Sequence, residues 1–90
     1  MAYQIRFGKR VRKEIARLAR QDQARILVGI KALAEDPRPA GCRPVKVAGA
    51  GTVRLRVGDY RVIYLVLDDE QVVVVARVAR RNESTYRGLR

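Results

Sequence analysis

Histidine is absent from this chain of 90 residues. With it go histidine acid–base pairs, histidine triads and histidine-ligated metals, because no other side chain carries protons as readily near neutral pH. Cysteine occurs once, at Cys42. No internal disulfide can form, a reducing compartment is expected, and zinc finds too few of its usual ligands. No stretch approaches the ~20 apolar residues that a membrane-spanning helix requires, and the opening MAYQIRFGKR holds no apolar signal-peptide core. A cytoplasmic protein without a membrane partner is expected. Negative charge is also scarce, with nine acidic residues against 20 basic ones.

What is present is arginine, which supplies 16 of those 20 basic residues and leaves four to lysine. Its rigid donor fork suits phosphate and stays protonated when partly buried. A net charge of +11 makes a polyanion the default partner, with nucleic acid ahead of a membrane surface. An apolar share of 48% in alternating patterns argues against disorder. The length suits a single domain over residues 1–90 with one modest core.

Tyr3, Ile5 and Phe7 alternate with Gln4 and Arg6, which predicts a short first strand ending at Gly8. From Lys9 the period lengthens. Val11, Ile15, Leu18 and Ala19 make one helical stripe, and Ile26, Ile30, Leu33 and Ala34 make a second, with Asp22 placed to cap the second helix and Asp36-Pro37 to stop it. The pair reads as a helical hairpin. Residues 36–51 hold all three prolines and three of the seven glycines, a long connection of the kind that commonly binds or moves. Within it Lys46, between Val45 and Val47, suits an irregular extended piece approaching the sheet. Strands are then expected over Thr52–Val57, Tyr60–Leu67 and Val72–Val78, and a helical turn in the tail from Asn82 to Arg90.

The stretch RLRVGDYRVIY carries the most information. Arg54 and Arg56 share a face opposite Val53, Leu55 and Val57, and the Gly58-Asp59 pair suits a two-residue hairpin turn. That turn sets Val57 against Tyr60, Arg56 against Arg61 and Arg54 against Ile63. Like charges directly opposite destabilise a sheet, so the Arg56 and Arg61 pair points to an anionic ligand. The next turn, Asp68-Asp69-Glu70, reads as solvated punctuation rather than a Mg²⁺ site. Pairing Asp68 with Gln71 places Val78 opposite Arg61 and aims Arg80 to the Arg61 side, a reading that one bulge would reverse. The same register leaves Arg77 on the core-facing side. Gly49 and Gly51 make no phosphate-cradling loop, since no strand precedes them and no helix follows.

An arginine and lysine site can cleave RNA without a metal. RNA carries its own nucleophile in the 2′-hydroxyl, so the protein need only align that oxygen and stabilise the charge that develops on the phosphoryl group. Guanidinium groups do this well and proton transfer badly, because their pKa exceeds ~12.

The order of strand, helical hairpin and three strands, together with RLRVGDYRVIY and RVARRNESTYR, resembles the RelE/ParE toxin superfamily, and within it the RelE branch of ribosome-dependent mRNA endonucleases. The resemblance implies an α+β fold: an N-terminal strand, a helical hairpin, three antiparallel strands and a short C-terminal helical turn. It implies catalytic roles for Arg54, Arg61 and Arg81, with Arg61 as phosphate ligand and Arg81 assisting the leaving group, and it gives Tyr86 a base-stacking role. Lys46, Arg56 and Arg80 join these as substrate-binding candidates, and no cofactor is implied. Thr52 stands where some relatives carry a lysine proposed as general base, and Lys46 is a candidate substitute. The resemblance favours Arg81 over Arg80 as the late arginine, whereas the strand register favours Arg80. Implied partners are the ribosome, mRNA and a cognate RelB-like antitoxin in a toxin–antitoxin hetero-oligomer. Two other readings stay open: a ParE-like binder of DNA gyrase that cleaves nothing, and an RNA-binding module without chemistry. For Arg54 and Arg56 the structural alternative is protection of an exposed sheet edge.

Overall fold

The computed structural model describes residues 2–80. The alternating first segment becomes β1 (Gln4–Phe7), and the change of period at Lys9 becomes α1 (Lys9–Ala16). The second helix, α2, spans Arg20–Ala32. It starts before Asp22, with Ala19 at the N-cap and no side-chain cap, so Asp22 is not the capping residue expected from its spacing. Asp22 lies in the first turn instead, where a carboxylate still meets the positive end of the helix dipole. The Gln23 amide donates to the Ile15 carbonyl at 3.0 Å and ties the end of α1 to α2.

The long connection forms a two-residue strand, β2 (Arg43–Pro44), and one 3₁₀ turn over Lys46–Ala48. Next come β3 (Thr52–Val57), β4 (Tyr60–Leu67) and β5 (Val72–Arg80). The sheet order is β1-β5-β4-β3-β2, with β1 parallel to β5 and the other neighbours antiparallel. Helix α1 rests on β5 and α2 on β3. Val11, Ile26, Ile30 and Leu33 from the helical side meet Val53, Val62, Tyr64 and Val75 of the sheet, all buried. Burying a side chain such as Ile26 contributes roughly 1.5–3 kcal/mol. The approach is close, since a Cβ on Gly29 of α2 would stand 3.2 Å from Val57 Cγ2. Tyr64 sits in this core with its hydroxyl donating to the Pro37 carbonyl at 2.8 Å, and burial raises its pKa.

The two hairpins of the sheet differ. Gly58 takes φ 59°, which the first residue of a two-residue turn requires, and β3 meets β4 in the expected register with Arg56 opposite Arg61 and Arg54 opposite Ile63. Between β4 and β5 the turn pairs Asp68 with Gln71, whose N–H donates to the Asp68 carbonyl at 3.1 Å. The expected pairing then runs from Leu67 opposite Val72 to Tyr64 opposite Val75, where the register shifts. Ala76 is the extra residue. Beyond it Arg77 lies opposite Ile63, Ala79 opposite Arg61, and Arg80 opposite Tyr60.

Candidate nucleic-acid interface

Residues paired across neighbouring strands share a sheet face, so the register fixes which arginines lie together. One row across the strands reads Arg43, Arg54, Ile63 and Arg77, and the next reads Arg56, Arg61 and Ala79. Among the described residues these two rows put five arginines on the face away from the helices, and Arg6 of β1, in line with Val74, is a sixth. Ile63 and Ala79 between them are buried, giving the guanidinium stems an apolar floor. Arg54 and Arg61 are half-buried and Arg56 is exposed. The three arginines expected on one face are together there.

Arg61 is the most unusual of them. Its Nε atom is buried and finds no hydrogen-bond partner among the described residues. An unsatisfied buried donor costs ~1–3 kcal/mol, more when charged. Arg56 faces it directly, adding a like-charge neighbour on a sheet. An anion seated here could accept from Arg61.

The bulge at Ala76 corrects two expectations. Arg77 leaves the core-facing side, and its Nε donates to Glu14 of α1 at 2.8 Å, with both side chains largely buried at 13% and 16% exposure. The second carboxylate oxygen of Glu14 accepts from the Val78 N–H at 2.8 Å. Glu14 in this way satisfies a backbone donor of β5 beyond the last residue that β1 pairs. Arg80 turns the other way. It is paired with Tyr60, whose side chain lies in the core, and its guanidinium carbon stands 5.6 Å from the Tyr60 ring centroid. The same tyrosine donates its hydroxyl to Asp22 at 3.2 Å. Arg80 is therefore not brought to Arg61, because one inserted residue exchanges the faces of everything after it. Arg81 and Tyr86 lie outside the described residues.

Lys46 is exposed in the 3₁₀ turn rather than in an extended piece. The Thr52 hydroxyl, on the arginine face but buried, donates to the Ala48 carbonyl at 3.3 Å and closes that turn onto β3. Thr52 thus holds the Lys46 turn at the margin of the arginine face. Asp68, at the far end of the sheet, accepts from the Tyr3 hydroxyl at 2.7 Å and from both terminal nitrogens of Arg38 at 2.8 and 3.1 Å. These bonds hold its carboxyl down at about 2.

Sequence reasoning missed Arg43 and Glu14. Two residues of strand are too few to show alternation, so nothing in the sequence ties Arg43 to Arg54. Glu14 reads as an ordinary charge on an exposed helix face, and only the packing of α1 beside β5 reveals its partners. As chemistry, the face offers fixed positive donors over an apolar floor and, among the described residues, no side chain suited to act as a base at neutral pH. It can bind and polarise a phosphodiester.

The family and the fold are shared with known proteins. The family model described as the ParE toxin of type II toxin–antitoxin systems, parDE, matches residues 5–85. A relative from Methanocaldococcus jannaschii that carries the name RelE1 and is called a toxin is 29% identical over 89 residues, covering 97% of this chain and 98% of its own. Among solved structures, a chain of the archaeal RelE–RelB complex from Pyrococcus horikoshii superposes with a TM-score of 0.81 at 28% identity, covering 93% of this chain and 100% of that one. A chain of the Mycobacterium tuberculosis toxin–antitoxin complex RelBE2 gives 0.78 at 28% identity, covering 90% and 100%.

Proposed function

The chain belongs to the ParE toxin family of type II toxin–antitoxin systems, and from that premise we propose that it acts as a RelE-type endoribonuclease, cutting mRNA on the ribosome without a metal. The observation that carries this reading is the pairing of Arg56 with Arg61 beside Arg54 on one face, with the buried Arg61 Nε without a partner among the described residues. A scissile phosphate lodged there would accept from Arg61 and be held by Arg54 and Arg56.

In the proposed reaction the 2′-oxygen attacks the adjacent phosphorus as its proton passes to solvent water. The bond from phosphorus to the 5′-oxygen breaks, and that oxygen takes a proton from water. The products are a 2′,3′-cyclic phosphate and a free 5′-hydroxyl. Arg54 and Arg61 stabilise the charge that grows on the phosphoryl oxygens, a role worth ~2.7–4 kcal/mol per donor in comparable sites. Arg81 is proposed to assist the leaving oxygen and Tyr86 to stack on a base, with Lys46 at the margin of the site. A site of guanidinium groups with little acid–base help is slow on free RNA and gains from a ribosome that pre-aligns the strand. This accounts for ribosome dependence.

The relatives seen in RelE–RelB and RelBE2 complexes support a RelB-like antitoxin here as well, forming a hetero-oligomer that masks the arginines. Charge contrast with a protein of net charge +11 would speed and orient that association. The ParE description of the family model favours a second reading, in which the same fold binds DNA gyrase and cleaves nothing. Purified protein added to ribosome-bound mRNA separates the two. New 2′,3′-cyclic ends are expected, whereas intact mRNA with inhibited supercoiling would establish the gyrase reading.

A further inference from the structure

We propose that Arg43 on β2, with Arg54 and Arg56, forms a second phosphate subsite at the sheet edge that holds the nucleic-acid backbone next to the scissile phosphate. The inference deepens the endoribonuclease reading and rests on it for the identity of the neighbouring site.

Three observations carry it. A cleft of about 320 Å³ opens at this edge, lined by Arg43, Arg54 and Arg56 and by the small residues Ala40 and Gly41. No carboxylate lines it, and among the described residues neither Arg43 nor Arg54 forms an ion pair with an acidic side chain. Most telling, Arg43 is the direct cross-strand partner of Arg54. The face thus carries two like-charged pairs, Arg43 with Arg54 and Arg56 with Arg61, each unfavourable in isolation.

The pairs are displaced from one another by one strand and by two residues along β3. That offset is ~4.8 Å across the sheet and ~6.7 Å along the strand. It is comparable with the step between successive phosphates of an extended single strand. One isolated like-charged pair would suit one anion, and two in diagonal succession suit a polyanion that presents its charges in a line. Arginine forks grip phosphate oxygens in pairs, so Arg56 and Arg61 can centre the scissile diester and Arg43 the next one, with Arg54 between them within reach of both. A strand seated this way passes from the Arg56 and Arg61 pair outward to the edge at β2.

The test uses the full chain and single-stranded RNA oligonucleotides with 2′-O-methyl groups, which have no nucleophile and so report binding alone. Their affinity is followed against salt concentration by fluorescence anisotropy. Arg43→Ala is expected to weaken binding and to flatten the slope of log affinity against log salt by ~0.7, the value for one lost phosphate contact on a single strand. Arg43→Lys should restore the slope and only part of the affinity, since it keeps the charge and loses the fork. On ribosome-bound mRNA, Arg43→Ala should raise KM several-fold and leave kcat within twofold. Unchanged affinity and slope in Arg43→Ala would overturn the subsite, as would Arg43-dependent binding of a glutamate-rich peptide with RNA binding unaffected. Both results leave the nuclease reading standing if wild-type protein makes cyclic ends. Failure of wild type to make those ends, with the slope change intact, sinks the nuclease reading and keeps the cleft as a nucleic-acid backbone site.

Discussion

Arg61 and Arg77 lie on the same sheet face, on adjacent strands and one row apart, yet the molecule treats them in opposite ways. Arg77 has its Nε on Glu14 at 2.8 Å, at a junction where the same carboxylate also accepts a backbone N–H. Arg61 has its Nε buried with no hydrogen-bond partner among the described residues, and another arginine directly opposite. The β5–α1 junction pairs its buried cation within the fold, and Arg61 Nε is not paired there. A buried donor of this kind calls for an explanation, and a bound ligand is one.

If that contrast is correct, exchanging structural and functional arginines should produce separable effects. The largest is expected for Arg61→Ala, which should reduce cleavage of ribosome-bound mRNA by on the order of 10²–10³-fold and abolish growth arrest on expression. Its thermal midpoint should match or exceed wild type, because an unsatisfied donor is removed. Full toxicity in a folded Arg61→Ala protein would remove this residue from the site. Glu14→Ala should do the reverse. It strands the Arg77 guanidinium and the Val78 N–H, and loss of one partner from a largely buried ion pair costs about 3–5 kcal/mol. Urea denaturation measures this, and a change below 1 kcal/mol would show that Glu14 is not the anchor of β5.

A smaller effect sharpens the comparison at the end of β5. Arg80→Ala should cost about 0.5–1 kcal/mol through its lost contact with the Tyr60 ring and leave the cleavage rate within a few-fold. Arg81→Ala should lower the rate at least tenfold with little change in stability. If Arg80→Ala proved the more damaging to cleavage, the face assignment made by the Ala76 bulge would not describe the active protein.

The smallest effect concerns the pH dependence of the far end of the sheet. Asp68 has its carboxyl held down by Arg38 and by the Tyr3 hydroxyl, so the charged form is favoured in the folded state. The stabilisation is present above the ordinary carboxylate pKa of ~4 and is lost as pH falls towards about 2. Asp68→Asn should flatten the stability curve within that window and lower stability slightly at pH 7, where the curve keeps its slope. The groups are exposed and screened by solvent, so the contribution is minor.

Much of the fold was legible because its signals are local. The change from period two to the helical period at Lys9 needs only neighbouring residues to read. The Gly58-Asp59 turn specified the β3–β4 register to the residue, because a two-residue turn leaves no freedom in pairing. Arg54, Arg56 and Arg61 could therefore be placed together in advance. Asp22 misled as a cap because helix starts without a side-chain cap look no different in sequence. Arg43 escaped because its strand is two residues long, and Glu14 because its partners are 63 and 64 residues away.

By itself the sequence determined the order of the two helices and the four longer strands, the hairpin that pairs Arg56 with Arg61, and the excess of positive charge, since each depends on local pattern, contacts within a turn or composition alone. Only the tertiary structure decided which face the end of β5 presents and which arginines are neutralised. A single extra residue at Ala76 reverses every side chain that follows it, and a carboxylate finds its cation only when α1 packs beside β5. Alternation is a local rule, whereas a bulge and an ion pair are set by what the rest of the chain brings alongside.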